Sequence, residues 1–511
     1  MQVTLSYLLE RCASKFPTKI GLITEKGRYT FREWEENANH QAELLAKVGI
    51  RKGDRVATLF RNSREALEIY PALWKLGAVV VPLNIRLSVR ELTELIKISS
   101  VKAVVFGSEF QGLANDVRSV WHGKEMWIEC DEGSAVWWKE VGREEARPTS
   151  EQAQEKDVAC ILYTAGTVGK PKGVMLTHSN LVWGAVNLAQ DSYFRPHLKV
   201  LLVFPLFHAA AIGLLNASLY LGCTIVSLSK FSAEGVLEVV EREKVGKLAF
   251  PPTVWNAILE SPDVGKYDLS CVESVSSGAA PMPPSIRRRL REVFRNACVG
   301  ETYGMTETAA TITTIIFEEE PEGSGCVGRP FTNVEVKVVD EKGREVAERE
   351  VGEIIVRGPN VMIGYLEDPD LTKVALREGW LYTGDLGYFD ERGLLYLVGR
   401  KKEIIISGGE NIHPQEVEEV LLTHPDVSDA AVVGVPDHVW GERVHAFVVK
   451  KSGSNLREEE VMEYCKGRIA GYKRPRSVQF VKYIPRSPAG KVLRRELRKL
   501  YCENKNDDPS Y

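Results

Sequence analysis

The first concentration of reactive residue types lies between Tyr163 and His178, which read Y-T-A-G-T-V-G-K-P-K-G-V-M-L-T-H. Gly166, Gly169 and Gly173 are interleaved with Thr164 and Thr167, and Lys170 and Lys172 stand near the end. Glycines let backbone N–H groups approach closely, hydroxyls add donors and lysines add charge, so the composition suits a loop wrapped around phosphate. It is not the common nucleotide P-loop, whose lysine is followed by Ser or Thr, because Lys170 is followed by Pro171. Standing alone, such a run is equally a flexible surface turn.

Four more short motifs follow in order: Tyr303-Gly-Met-Thr-Glu307, Tyr382-Thr-Gly-Asp385, Gly399-Arg400-Lys-Lys402, and Pro485 through Gly490-Lys491. Each is weak by itself. Taken together, along nearly the whole chain, the set resembles the adenylate-forming superfamily of acyl-CoA synthetases, aryl-CoA ligases, luciferases and peptide-synthetase adenylation domains. The resemblance is greatest to AMP-forming acyl-CoA synthetases. Such enzymes join a carboxylate to the α-phosphate of ATP, expel pyrophosphate, and then let a thiol displace AMP. The first step gathers negative charge, so cations and backbone donors must be aimed at it.

The resemblance implies a role for each motif. Thr164, Ala165, Gly166, Thr167, Val168, Gly169, Lys170 and Lys172 would form the triphosphate loop. Glu307, with the Thr167 hydroxyl, would hold Mg²⁺ beside the phosphates, and Thr306 would donate to the α-phosphate. Tyr303 offers a face for adenine, next to Glu301 and Thr302, and Gly278, Ala279 and Ala280 permit close backbone approach. Asp385 and Arg400 would contact the ribose. Lys491 would reach the forming acyl-phosphate bond. Lys402 matches the hinge about which the small domain rotates between the two half-reactions. Gly408 and Gly409 would form the wall of a pantetheine tunnel, with Trp440 and the basic run Lys473-Arg474-Pro-Arg476 near the nucleotide of coenzyme A. The loop departs from the family pattern at Ala165, where Ser is usual, and at Val168, where Thr or Ser is usual, so two hydroxyl donors are missing.

These residues need a scaffold that brings distant stretches together. At 511 residues the chain is too long for one core, so several domains are expected. Asp54–Phe60, Val79–Leu83 and Val101–Phe106 read as strands, alternating with a helix over Arg64–Leu76 and another opened by the capping box Ser88-Val-Arg-Glu91. A second alternating half runs through Val200–Phe207, Phe231–Lys244, Lys247–Pro252, Ser274–Pro281 and Asn296–Glu307. From Gly328 short strands separated by turns suit a small antiparallel barrel or sheet. From about Glu403 the pattern becomes α+β, with helices opening at Pro414 and at Asn455-Leu-Arg-Glu458. The expected fold is α/β: a large N-terminal domain over 1–400, made of two facing α/β sheets plus a small β-barrel-like subdomain, and a small mobile C-terminal α+β domain over 403–511, with the hinge at 401–402.

Composition excludes several classes. Hydrophobic content of 44% and charged content of 27% are ordinary for a soluble globular protein. A net charge of −4 argues against general nucleic-acid binding. The nine scattered cysteines make no C-x-x-C pair and the nine histidines show no ligand spacing, so neither a disulfide framework nor a structural zinc site is expected. The N-terminus lacks the pattern of a signal peptide. The uncharged stretch between Lys199 and Lys230 is broken by Pro205, His208, Gly213, Asn216 and Gly222, and reads as strand, loop, buried helix and strand rather than a membrane span. A cytoplasmic homodimer is expected, with peripheral membrane contact as its most intimate relation to lipid.

By the same resemblance, His208 and its neighbours would line the acyl pocket. Phe207-His208 stands where amino-acid-activating relatives carry an acid, and Ala209, Ala210, Ala211, Gly213, Ala309 and Ala310 leave apolar room. The expectation is therefore a medium- or long-chain fatty acid activated with ATP and Mg²⁺ and transferred to coenzyme A. The alternatives are an aryl-acid CoA ligase and a stand-alone enzyme loading a carrier protein; no Gly-x-Ser attachment site follows Lys491.

Overall fold

The computed structural model describes residues 2–121, 123–130, 153–164, 171–318, 325–408, 410–487 and 490–506. Of the residues singled out above, Ala165, Gly166, Thr167, Val168, Gly169, Lys170 and Gly409 lie outside these.

The first alternating half forms as expected. Helix Arg64–Lys75 is capped by Ser63, whose hydroxyl accepts from the Ala66 N–H. Helix Val89–Ser99 opens with the Ser88/Glu91 capping box, a motif that stabilises a helix start by about 1 kcal/mol. Strands Val79–Pro82, Arg55–Leu59, Ala103–Gly107 and Met126–Cys130 lie side by side and parallel. Strand Val158–Thr164 joins Val79–Pro82 in parallel, and then Lys172–Thr177 turns back antiparallel to it. The glycine-rich run therefore connects the arms of a hairpin rather than a strand to a helix. Gly364–Tyr365 closes this seven-stranded sheet by pairing with Met175 and Val174.

The second half is a larger sheet. Thr224–Ser227, Lys199–Leu202, Lys247–Phe250, Ser274–Gly278 and Cys298–Tyr303 are parallel neighbours. The strand expected to reach Phe207 ends at Leu202; a loop then carries Pro205 to helix Ala209–Leu221, with His208 as its N-cap. No helix among the described residues is long and apolar enough to cross a membrane. Helices Arg64–Lys75, His178–Asp191 and Ala209–Leu221 lie between the sheets, and one hydrophobic core takes residues from all three and from both sheets.

The turn-separated strands Glu335–Val339, Gly352–Arg357, Trp380–Phe389 and Leu395–Arg400 pair antiparallel and extend the large sheet through Cys326–Pro330. They form an open edge of that fourteen-stranded sheet, so no closed barrel is needed. Beyond them, five strands, with Gly441–Lys450 paired to Val427–Asp437 at the centre, carry their own cores from Ile405 to Tyr501. The helix expected from Asn455 begins at Glu458, because Arg457 serves as N-cap and its N–H donates to Glu460, while Leu456 is buried. The architecture is thus mixed α/β with a large N-terminal and a small C-terminal domain.

Candidate active site

The site is assembled where the strands of the large sheet end. Strand Cys298–Tyr303 delivers Tyr303, and the short turn Thr306–Thr308 delivers Glu307. Asn360 secures that turn by donating to the Thr308 and Thr311 carbonyls at 2.9 and 2.6 Å. Past it, Ala309 and Ala310 adopt φ of 47° and 66°, a left-handed conformation that costs a residue with a Cβ about 1 kcal/mol or more.

Two carboxylates meet here, Asp385 and, on the turn itself, Glu307. Asp385 and Arg400 are opposite each other on adjacent antiparallel strands. The Asp385 carboxylate accepts from the Tyr303 hydroxyl at 2.7 Å and from Arg400 Nε at 2.7 Å. Its own N–H donates to Thr383 Oγ1 at 3.0 Å. The charge of Asp385 raises the affinity of Arg400 for its proton, and burial, then Asp385, holds the Tyr303 phenol far above its usual range. Glu307 is buried and accepts from the Tyr365 hydroxyl at 2.9 Å. Burial, then Glu307, pushes the Tyr365 phenol up, and the Lys172 ammonium lies 5.3 Å from the Tyr365 ring. Glu307 has no ion-pair partner among the described residues. A buried carboxylate with one hydroxyl donor and an unmatched charge fits Mg²⁺, which takes one or two carboxylates and fills its octahedron with phosphate and water. No group of three or more His, Cys, Asp or Glu able to hold a metal exists among the described residues.

Lys491 comes to this cluster from the small domain. Gly490 beside it packs on the large domain, where a Cβ would lie 3.1 Å from Thr253 Oγ1. Part of Lys491 stays open to solvent, yet desolvation and, secondly, the Arg400 charge lower its proton affinity, against the opposing pull of Asp385, Glu307 and Glu403. His208 also feels Lys491. Its imidazole is lowered to about 4 by burial first, then by Arg86 and Lys491, so it is neutral near pH 7. It packs 4.6 Å from the Phe207 ring, and its Nε2 has no hydrogen-bond partner among the described residues.

Other expected site residues fall elsewhere. The Glu301 carboxyl accepts from the Met282 N–H at 3.0 Å and is raised to about 8 by burial. It is spent on holding that loop. Thr302 directs its hydroxyl at Thr314. Lys473 is paired to Glu416 at 2.6 Å rather than presented to a ligand. Gly408 has φ of +60°, and a Cβ there would meet the Trp440 ring at 2.6 Å, so the indole fills the space beside this glycine. Trp440 is half-exposed on its other side, with Arg476 4.8 Å from its ring. Lys402 lies in the one-turn 3-10 helix Lys401–Glu403.

Residues 9–366 match the family model described as AMP-binding enzyme, and residues 416–491 match the AMP-binding enzyme C-terminal domain. The chain belongs to this family. It is 36% identical over 473 residues to a feruloyl-CoA synthase of Amycolatopsis sp, covering 92% of this chain and 94% of the relative. It is also 36% identical over 506 residues to 4-coumarate–CoA ligase 2 of Nicotiana tabacum, covering 96% and 93%. The structure of o-succinylbenzoate CoA synthetase from Bacillus subtilis, in complex with its acyl-adenylate intermediate, superposes with a TM-score of 0.85 at 33% identity, covering 98% of each chain. This AMP-binding enzyme is accordingly an AMP-forming acid–thiol ligase of the acyl-CoA synthetase type, using ATP, Mg²⁺ and coenzyme A.

Sequence reading missed Tyr365, Arg86 and Glu403. Tyr365 belongs to a two-residue strand with no sequence signal, and only the fold brings it to Glu307. Arg86 is a lone arginine in a turn, where spacing says nothing of His208.

Proposed function

We propose that this enzyme activates an aryl carboxylic acid as its acyl-adenylate and transfers the acyl group to coenzyme A. The relatives support an aromatic acid over the fatty acid expected from the small residues around His208: feruloyl-, 4-coumarate- and 2-succinylbenzoate-CoA ligases are prominent among them. The observation that carries the mechanism is Lys491, which stands within electrostatic reach of Glu307, Asp385, Arg400 and His208 although it belongs to the other domain.

In this reading Asp385 accepts from the ribose hydroxyls, Arg400 fixes the carboxylate, and Tyr303 presents its face to adenine. Glu307 and the Thr167 hydroxyl would hold Mg²⁺, which when bound would offset charge on the phosphates, and Thr306 would donate to the α-phosphate. Thr164, Lys172 and the residues of 165–170 cradle the triphosphate, with backbone N–H groups replacing the hydroxyls absent at Ala165 and Val168. Neutral His208 borders the acid without adding charge, and Lys491 meets the negative charge that builds between the acid oxygen and phosphorus. The chain divides at 401–402. Turning residues 403–511 about Lys402 withdraws Lys491 and brings Gly408, Gly409, Trp440 and Arg476 to the thiol path.

The test is a panel of aromatic and fatty acids with ATP and coenzyme A, following pyrophosphate and free thiol. Turnover concentrated on aromatic acids supports the proposal. Turnover confined to fatty acids overturns it, and pyrophosphate without thiol loss points to a carrier protein as acceptor.

A further inference from the structure

Residues 360–366 run between the turn that carries Glu307 and the strand that follows the glycine-rich run, and they bond to both. Asn360 secures the turn through its amide, and the Met362 N–H donates to the Glu307 carbonyl at 2.8 Å. The next N–H groups face the other way. Ile363 donates to the Met175 carbonyl at 3.2 Å and Leu366 to the Gly173 carbonyl at 2.8 Å, which lays Gly364–Tyr365 against Lys172–Thr177 as an added strand. The Tyr365 N–H, turned away from that pairing, donates to Thr372 Oγ1 at 2.9 Å. A Cβ on Gly364 would lie 2.8 Å from Thr372 Cγ2, so the two close up only because this residue is glycine. Successive side chains of an extended segment point to opposite faces. Leu366 packs with Ile161 and Met175 on the outer face of the seven-stranded sheet, so Tyr365 is turned inward, into the core that the two sheets share.

Tyr365 is buried, and both its hydroxyl and its ring are in use. The hydroxyl donates to Glu307 Oε1 at 2.9 Å. The ring lies 5.3 Å from the Lys172 ammonium, within the distance at which a cation is drawn to an aromatic face. Glu307 follows a strand of the large sheet, and Lys172 opens a strand of the smaller one. The two charges therefore reach a single side chain from separate sheets, and the segment that presents this side chain is bonded to both neighbourhoods.

We propose that Tyr365 is a positioning residue that couples the metal carboxylate to the triphosphate cradle, its hydroxyl orienting Glu307 and its ring seating Lys172. The inference rests on the roles given to Glu307 and Lys172 under the proposed function. A hydrogen bond to one oxygen of a carboxylate orients the other, and Mg²⁺ tolerates little departure from octahedral geometry, so the phenol sets how well Glu307 serves as a ligand. The ring acts on the other partner. A lysine side chain is long and loses much rotamer freedom when it is fixed, and an aromatic face that attracts the ammonium bears part of that cost before phosphate arrives. Because one side chain orders both groups, metal strengthens ATP binding and ATP strengthens metal binding by the same factor.

The test measures ATP binding to the full-length enzyme by calorimetry with no acid present, so that nothing turns over, once with Mg²⁺ and once in excess EDTA. The ratio of the two dissociation constants is the benefit that metal confers. Tyr365→Phe keeps the ring and removes the hydroxyl. In it the benefit is expected to fall about tenfold, the lower end of what is lost when the partner behind a metal ligand is removed, while the constant in EDTA is unchanged. Tyr365→Leu removes the ring as well, and its constant in EDTA is expected to rise about two- to fivefold, the range of an exposed cation–π contact. Should Tyr365→Leu fail to fold, Tyr365→Phe decides. An intact benefit in Tyr365→Phe overturns the proposal, and so does equal weakening with and without metal, which marks a merely structural role. Glu307→Ala separates the proposal from the reading beneath it. Loss of the benefit in Glu307→Ala with retention in Tyr365→Phe removes the coupling alone, whereas retention in Glu307→Ala removes both.

Discussion

The two sides of the active site are built differently. On the large-domain side, Tyr303, Asp385 and Arg400 bond to one another at 2.7 Å, and Tyr365 holds Glu307 at 2.9 Å. That side is pre-organised by its own sheet. The small-domain side brings Lys491 on a turn anchored by Gly490 against Thr253, without a direct ion pair to the cluster among the described residues. It is held by electrostatic fit and packing. On the proposed reading, affinity for nucleotide would belong to the large-domain side, and the commitment of each half-reaction to the small domain that carries Lys491.

The largest test of this contrast is Lys491→Ala. Adenylation should fall by roughly two to three orders of magnitude, as for loss of an electrostatic stabiliser, while thioester formation from supplied acyl-adenylate persists. Equal loss in both steps would erase the division. Next, Asp385→Asn keeps the shape but removes the charge that Arg400 and Tyr303 share. The KM for ATP should rise about tenfold; a change confined to kcat contradicts a binding role. A smaller effect separates the sides by pH. Because desolvation lowers Lys491, the alkaline loss of adenylation should begin below the usual lysine range near 10.4 and vanish in Lys491→Arg. A limb that survives the substitution belongs to another group. The smallest effect concerns the core. An unfolded lysine binds its proton up to about pH 10, whereas folded Lys247 releases it near 7, so the unfolded state holds more protons between those values and stability rises with pH there. The melting temperature of the wild type should climb from pH 7 to 9 relative to Lys247→Met; parallel curves would show that the ammonium is not desolvated.

Much of this was legible from order and spacing. Ser88 and Glu91 announce their helix because a capping box is local, and the motif series ending at Lys491 is specific because its members recur in sequence. The antiparallel pairing of the strands on either side of the glycine-rich run was not legible, since a strand followed by glycines does not say which way the chain returns. Tyr365 and Lys247 were silent for a related reason: one sits in a two-residue strand and the other looks like any strand-edge cation until three strands align in register. The apolar alanines near His208 suggested a fatty chain, whereas the relatives that the chain matches include feruloyl-, 4-coumarate- and 2-succinylbenzoate-CoA ligases, a distinction that small apolar side chains do not encode.

The strand Leu395–Arg400 gives the last consequence. Arg400 ends it, Lys401–Glu403 follows without a spacer, and Glu403 accepts from Arg494 at 3.0 Å, which also grips Glu418 at 2.6 Å. The residue that steadies Asp385 is thus three peptide bonds from the first ion pair of the small domain. If residues 403–511 turn about Lys402 as proposed, the motion would reach the Arg400–Asp385 pair through a connection too short to absorb slack, and the linkage would work as a lever.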